Sequence, residues 1–81
     1  MSTESQIRNY ILENLLFTED QSELENSDSF LGKGIVDSTG MLEIILFIEE
    51  TFDISVADEE MIPENLDSVD SLIAFIAGKQ A

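Results

Sequence analysis

Gly34-Ile35-Val36-Asp37-Ser38-Thr39-Gly40-Met41-Leu42-Glu43-Ile44-Ile45-Leu46-Phe47-Ile48-Glu49-Glu50-Thr51-Phe52 decides how this chain folds. A loop ends at Asp37-Ser38 and opens directly into an apolar helix edged with acids. The predicted helix covers residues 38–52. Met41, Ile44, Ile45, Ile48 and Phe52 follow at i, i+3, i+4, i+7 and i+11, the spacing of one buried face. Leu42 and Leu46 fall on another side, beside Glu43, Glu49 and Glu50. Apolar residues outside the core stripe of a small domain point either to burial on several sides or to a partner surface. Phe47 is expected partly against another helix. Ser38 stands at the helix N-terminus, where unpaired N–H groups and the helix dipole both favour an anion. The reading built on this stretch makes Ser38 a covalent attachment point and the remaining residues a bundle that presents it.

Working outward toward the N-terminus, Thr3-Glu4-Ser5-Gln6 has the form of a capping box, with Thr3 as N-cap and Gln6 at N3. Ile7, Tyr10, Ile11 and Leu15 come next at helical spacing, and Leu12 and Leu16 widen that face. This predicts a first helix over about residues 4–16. Residues 18–28 dissolve into Glu, Asp, Ser, Gln and Asn and read as a solvated acidic loop. Phe30, Leu31, Ile35 and Val36 anchor the segment leading to Asp37, and Gly32 and Gly34 supply its turns.

Toward the C-terminus, Asp53-Ile54-Ser55-Val56 reads as an extended link with Ile54 and Val56 inward. Residues 58–62 form a single turn that Pro63 stops, and residues 65–67 form another. Asp67 or Ser68 caps a last helix carrying Val69, Leu72, Ile73, Phe75 and Ile76, which Gly78 ends. No stretch alternates long enough to make a strand. The predicted fold is all-α and single-domain: a four-helix bundle of three main helices and one short one, with a long loop between the first two. The predicted core is Ile7, Ile11, Leu15, Phe30, Ile44, Ile48, Phe52, Ile54, Val69, Leu72, Ile73 and Ile76.

Composition removes whole classes of function. The 81 residues contain no cysteine and no histidine, so thiolate chemistry, the usual neutral-pH base and the commonest metal ligand are all missing. Three basic residues, Arg8, Lys33 and Lys79, face eighteen acids, for a formal charge of −15. That excludes nucleic-acid binding by phosphate neutralisation and docking on an anionic membrane. It favours a partner with a basic patch, met through electrostatic steering. No apolar run spans a bilayer and Met1-Ser2-Thr3-Glu4 does not open a signal peptide, so a cytoplasmic monomer is expected. The acid-rich loop lacks the spacing of a calcium-binding helix–loop–helix, and no metal site is expected. Carboxylate pairs abound, but a domain this small offers no pocket to raise one pKa alone, so an enzyme is not expected.

By itself an Asp-Ser at a helix start is usually only an N-cap. The block from Gly34 to Asp58, however, resembles the acyl carrier protein family. Asp37-Ser38 stands where that family carries its Asp-Ser-Leu motif. Glu43, Glu49-Glu50 and Phe52-Asp53-Ile54 match its acidic second helix and Phe-Asp-Ile exit without a gap. Leu66-Asp67-Ser68-Val69 and Phe75-Ile76 resemble its last helix, and Phe30-Leu31 its loop pair. The likeness weakens over residues 1–27.

The resemblance implies a 4′-phosphopantetheine arm on Ser38, preceded by Asp37, whose thiol holds cargo as a thioester. It implies a phosphoprotein of fatty acid or polyketide biosynthesis. Its partners would be a phosphopantetheinyl transferase, a loading ligase for acyl or aminoacyl groups, and downstream synthases or transferases with basic docking patches. Thr39, Leu42, Glu43, Leu46, Glu49, Glu50, Asp58, Glu59 and Glu60 would meet those patches. Cargo would enter between the helices, with Ile44, Ile45 and Ile62 as wall residues.

Thr39 stands where the family usually has leucine, Gly40 where many members have an acid or small residue, and Ala57 replaces a common proline. The Asp-Ser-x-Gly form resembles D-alanyl carrier proteins and some peptidyl carriers, so an aminoacyl or peptidyl carrier is the alternative. A second alternative is an acidic helical inhibitor or regulatory protein with no covalent group.

Overall fold

The computed structural model describes residues 2–80. The first helix, α1, spans Thr3–Asn14. Its N-cap is Ser2, whose hydroxyl accepts from the Ser5 N–H at 3.1 Å, one residue earlier than expected. It also ends two residues early. The Leu15 and Leu16 N–H groups both donate to Ile11 O, and Phe17 turns to a left-handed φ of 54°. Ile7, Ile11 and Leu12 of α1 are buried, while Leu15 is only partly covered.

The connection between α1 and the second helix is not the solvated loop its composition suggested. Gln21–Glu23 form a 3-10 turn capped by Asp20, and Leu24 is 2% exposed, a full member of the core. Arg8 ties this stretch to α1. Its guanidinium donates to Gln21 O, Leu24 O and Asn26 Oδ1, each at 2.7 Å. Asn26 extends the bracket: its side chain donates to Glu4 at 2.8 Å, and its carbonyl accepts from the Asp70 N–H at 3.1 Å. A charged side chain with five fixed donors suits a segment whose carbonyls have no ladder to join.

The second helix, α2, spans Ser38–Phe52, as its periodicity predicts. Ile44, Ile45 and Ile48 are buried, with Met41 and Phe52 at the rim. Phe47 stacks on Tyr10 of α1 with ring centroids 4.1 Å apart and planes 4° from parallel, and Phe52 meets Phe47 edge-on. Asp53 ends the helix in the left-handed conformation. Val56 then turns inward to full burial, while Ile54 stays partly covered.

Asp58–Glu60 form a second 3-10 turn. Pro63 does not merely stop it. It opens α3, Pro63–Leu66, where its missing N–H costs nothing. The last helix, α4, spans Val69–Gln80. Ser68 caps it, accepting from the Ser71 N–H at 3.1 Å, and Asp67 is left free for another task. Gly78 does not end it; the helix runs two residues further, on an exposed final turn.

The architecture is therefore an all-α bundle of three main helices and one short one, with a long first connection; no strand occurs among the described residues. α4 packs against α1 and α3. Their apolar faces meet those of α2, Leu24 and Phe30 in one core. Of the predicted core, Ile7, Ile11, Phe30, Ile44, Ile48, Val69, Leu72 and Ile76 are buried; Leu15, Phe52, Ile54 and Ile73 lie at its edge. Leu12, Leu24, Val36, Ile45, Val56 and Leu66 complete it.

Candidate functional site

Ser38 is placed by a loop with little freedom. The Phe30 side chain is completely buried, and its carbonyl accepts from the Ile35 and Val36 N–H groups at 2.8 and 3.3 Å. Gly34 makes the turn between them with φ 70°, a conformation open to glycine without strain. Asp67 holds the other side of the loop. Its backbone carbonyl accepts from the Phe30 N–H at 2.8 Å and its carboxylate from the Leu31 N–H at 2.9 Å. The same carboxylate takes the Ser29 hydroxyl. Val36 is buried and Asp37 is exposed, so the chain surfaces immediately before Ser38.

Asp37 caps α2: its Oδ1 accepts from the Gly40 N–H at 2.8 Å and its carbonyl from the Met41 N–H at 2.9 Å. Ser38 is the first helical residue and is exposed. The N–H groups of Ser38 and Thr39 donate to no acceptor among the described residues. The first turn of α2 also carries no acid, whereas α1, α3, α4 and both 3-10 turns each carry one or more. In so acidic a chain, this one long-helix N-terminus keeps its positive end uncompensated save for its cap. Gly40 permits the close approach beneath it, since an added Cβ would lie 3.1 Å from Val36 Cβ.

Beside Ser38 opens an apolar cavity of about 240 Å³. Met41 and Ile45 of α2 form one wall; Met61, Ile62 and Leu66 form the other, and Leu31 lies at the lip. Ile45 and Ile62 are thus wall residues as expected. Ile44 is not; it points into the main core. Leu31, Met61 and Leu66 were not expected as wall residues, because in the sequence a wall residue and a core residue share one periodicity.

The residues expected to meet partners divide into two groups. Leu42 and Leu46 are 55% and 58% exposed, side by side on α2. Thr39, Glu43, Glu50, Asp58 and Glu59 are exposed around them or at the next turn. Glu49 and Glu60 are engaged in holding the fold. Glu49 Oε2 accepts from the Val56 N–H at 2.9 Å. Glu60 Oε1 accepts from the Ala57 N–H at 2.9 Å and from the Lys79 ammonium. Hydrogen bonding to Lys79, and then to the Ala57 N–H, holds the Glu60 carboxyl below its ordinary range. Among the described residues no three His, Cys, Asp or Glu side chains converge as metal ligands, and no helix is long and apolar enough to cross a membrane.

No protein-family model matches the chain. The solution structure of a holo acyl carrier protein from Nitrosomonas europaea does match it, with a TM-score of 0.77 and 32% sequence identity. The match covers 99% of this chain and 98% of that one.

Proposed function

This chain belongs to the acyl carrier protein family, and we propose that it works as a carrier whose Ser38 bears a covalent 4′-phosphopantetheine arm. The observation that carries the proposal is the state of the α2 N-terminus. An exposed hydroxyl stands there beside free N–H donors, on an acid-free helical turn, at the mouth of an apolar cavity. These features fit a phosphodiester on Ser38 Oγ. The dipole and the open amides stabilise its charge, and no carboxylate of the first turn repels it. The arm, when bound, supplies a thiol that holds cargo as a thioester.

The chain's own residues position and do not catalyse. Histidine is absent, and the Asp37 carboxylate is occupied in capping. The base that deprotonates Ser38 therefore comes from a separate transferase. Thr39, Leu42, Glu43, Leu46, Glu50, Asp58 and Glu59 form the docking strip for that enzyme and for loading and downstream enzymes. An apolar pair ringed by acids suits brief contact with a basic patch. Glu49 and Glu60 contribute charge to the strip while bracing the segment that ends it.

The cargo this cavity favours is an acyl group. Its walls are Met, Ile and Leu, and drawing a charged ammonium among them would be costly. An aminoacyl cargo, the alternative consistent with Asp37-Ser38-Thr39-Gly40, would ride outside the bundle. Incubating the chain with a phosphopantetheinyl transferase and coenzyme A tests the assignment. The intact mass rises by one arm for the wild type and is unchanged for Ser38→Ala. An unmodified wild type would favour an acidic regulatory protein with no covalent group.

A further inference from the structure

The one large aromatic ring left in solvent among the described residues lines a different groove along α2 from the cavity. Phe17 is 82% exposed and holds its backbone at φ 54°. Bulky residues rarely adopt that left-handed conformation, and asparagine or glycine would end α1 there with less strain. The fold does not use the ring: among the described residues, ring–ring contacts join Tyr10, Phe47 and Phe52, and the ring under a cation is that of Phe75, beneath Lys79. Strain at an exposed apolar residue points to a use outside the folded chain.

The position of the ring suggests the use. Phe17 shares a shallow groove with Ile35, Thr39, Gly40 and Glu43, and Asp37 and Thr39, which flank Ser38 in sequence, line the same groove. Glu13 and Glu19 stand on its other side. An aromatic knob thus projects between acids, directly beside the residues that present the serine.

We propose that Phe17 is a docking residue for the enzyme that esterifies Ser38, seated in an apolar socket of that enzyme rimmed by lysine or arginine. The inference rests on the carrier reading and extends its interface from α2 to the end of α1. The esterifying enzyme is the fitting occupant because it alone must reach Ser38 Oγ itself. Later partners meet the end of a long arm and need not cover Asp37 or reach past Thr39 to the end of α1. Charge selects the socket's rim, since Glu13, Glu19 and Glu43 all border the knob.

Steady-state modification of the full chain by a purified phosphopantetheinyl transferase with coenzyme A tests this, using wild type, Phe17→Asn and Phe17→Leu. Phe17→Asn keeps the left-handed turn and removes the ring. It should raise KM about tenfold, the loss typical of one aromatic anchor, with kcat unchanged. Its melting temperature should equal or exceed that of the wild type, and Phe17→Leu should recover most of the lost KM. A wild-type KM for Phe17→Asn overturns the proposal. So does a fall in melting temperature that accounts for the defect, or a wild-type dimer that Phe17→Asn dissociates, which would make a second copy the occupant. If the wild type is not modified at all, the carrier reading itself fails and this inference with it.

Discussion

The Asp67 carboxylate accepts the Leu31 N–H at 2.9 Å, across 36 residues of sequence, and so ties the loop that presents Ser38 to the turn that opens α4. The same carboxylate also takes the Ser29 hydroxyl, which gives the loop a second hold on the same residue. Asp67→Ala should cost about 1–3 kcal/mol, the range for losing hydrogen bonds to a charged acceptor. Urea unfolding reads that cost as a lower midpoint with unchanged slope. Hydrogen exchange at the Leu31 amide should accelerate by more than the global loss of stability explains.

Leu24 lies in the acid-rich stretch between α1 and α2 yet is buried with the core. Leu24→Ala should destabilise the fold by roughly 2–5 kcal/mol, as for other large-to-small changes at closed sites. A cost near zero in urea unfolding would mean that the first connection is not packed as described.

Legibility in the sequence followed periodicity. α2 was readable to the residue because five apolar positions repeat at helical spacing behind an Asp cap, and the place of Ser38 at its first position was readable with it. Leu24 was not, because a single leucine among acids sets no period. Its only signal was its isolation. Arg8 was invisible for a related reason: its partners are backbone carbonyls of a segment with no regular structure. Glycine and proline misled at the ends. Gly78 sits in a solvated last turn where its cost is small, and Pro63 occupies a first helical position that needs no N–H. The cavity was half legible. The wall residue Ile45 and the core residue Ile44 are neighbours on one apolar stripe, and only packing separates them.

Glu60 gives the fold a dependence on pH with a definite sign. Hydrogen bonding to Lys79 depresses its folded pKa below the ordinary 4.5. The stabilisation is therefore complete above the unfolded value and disappears as pH falls through the folded one. Glu60→Gln should lower the melting temperature at neutral pH. The gap from wild type should close in acid, once pH is below the depressed folded value. A gap that persists there would assign the effect to packing and not to charge.

Salt should stabilise the chain. A charge of −15 on 81 residues repels itself, and raising ionic strength from 0.01 to 0.1 M shortens the screening length from about 30 to about 10 Å. The melting temperature should rise over that range, and more steeply with magnesium chloride at equal ionic strength. Indifference to both salts would contradict this view of the acidic surface.

Peptide mapping of the chain purified from its own host tests the central claim most directly. Eight other serines stand in the sequence, at positions 2, 5, 22, 27, 29, 55, 68 and 71. The phosphopantetheine mass should appear on the peptide containing Ser38 and on none of the others. Finding every peptide unmodified, or the arm on a different serine, would contradict it.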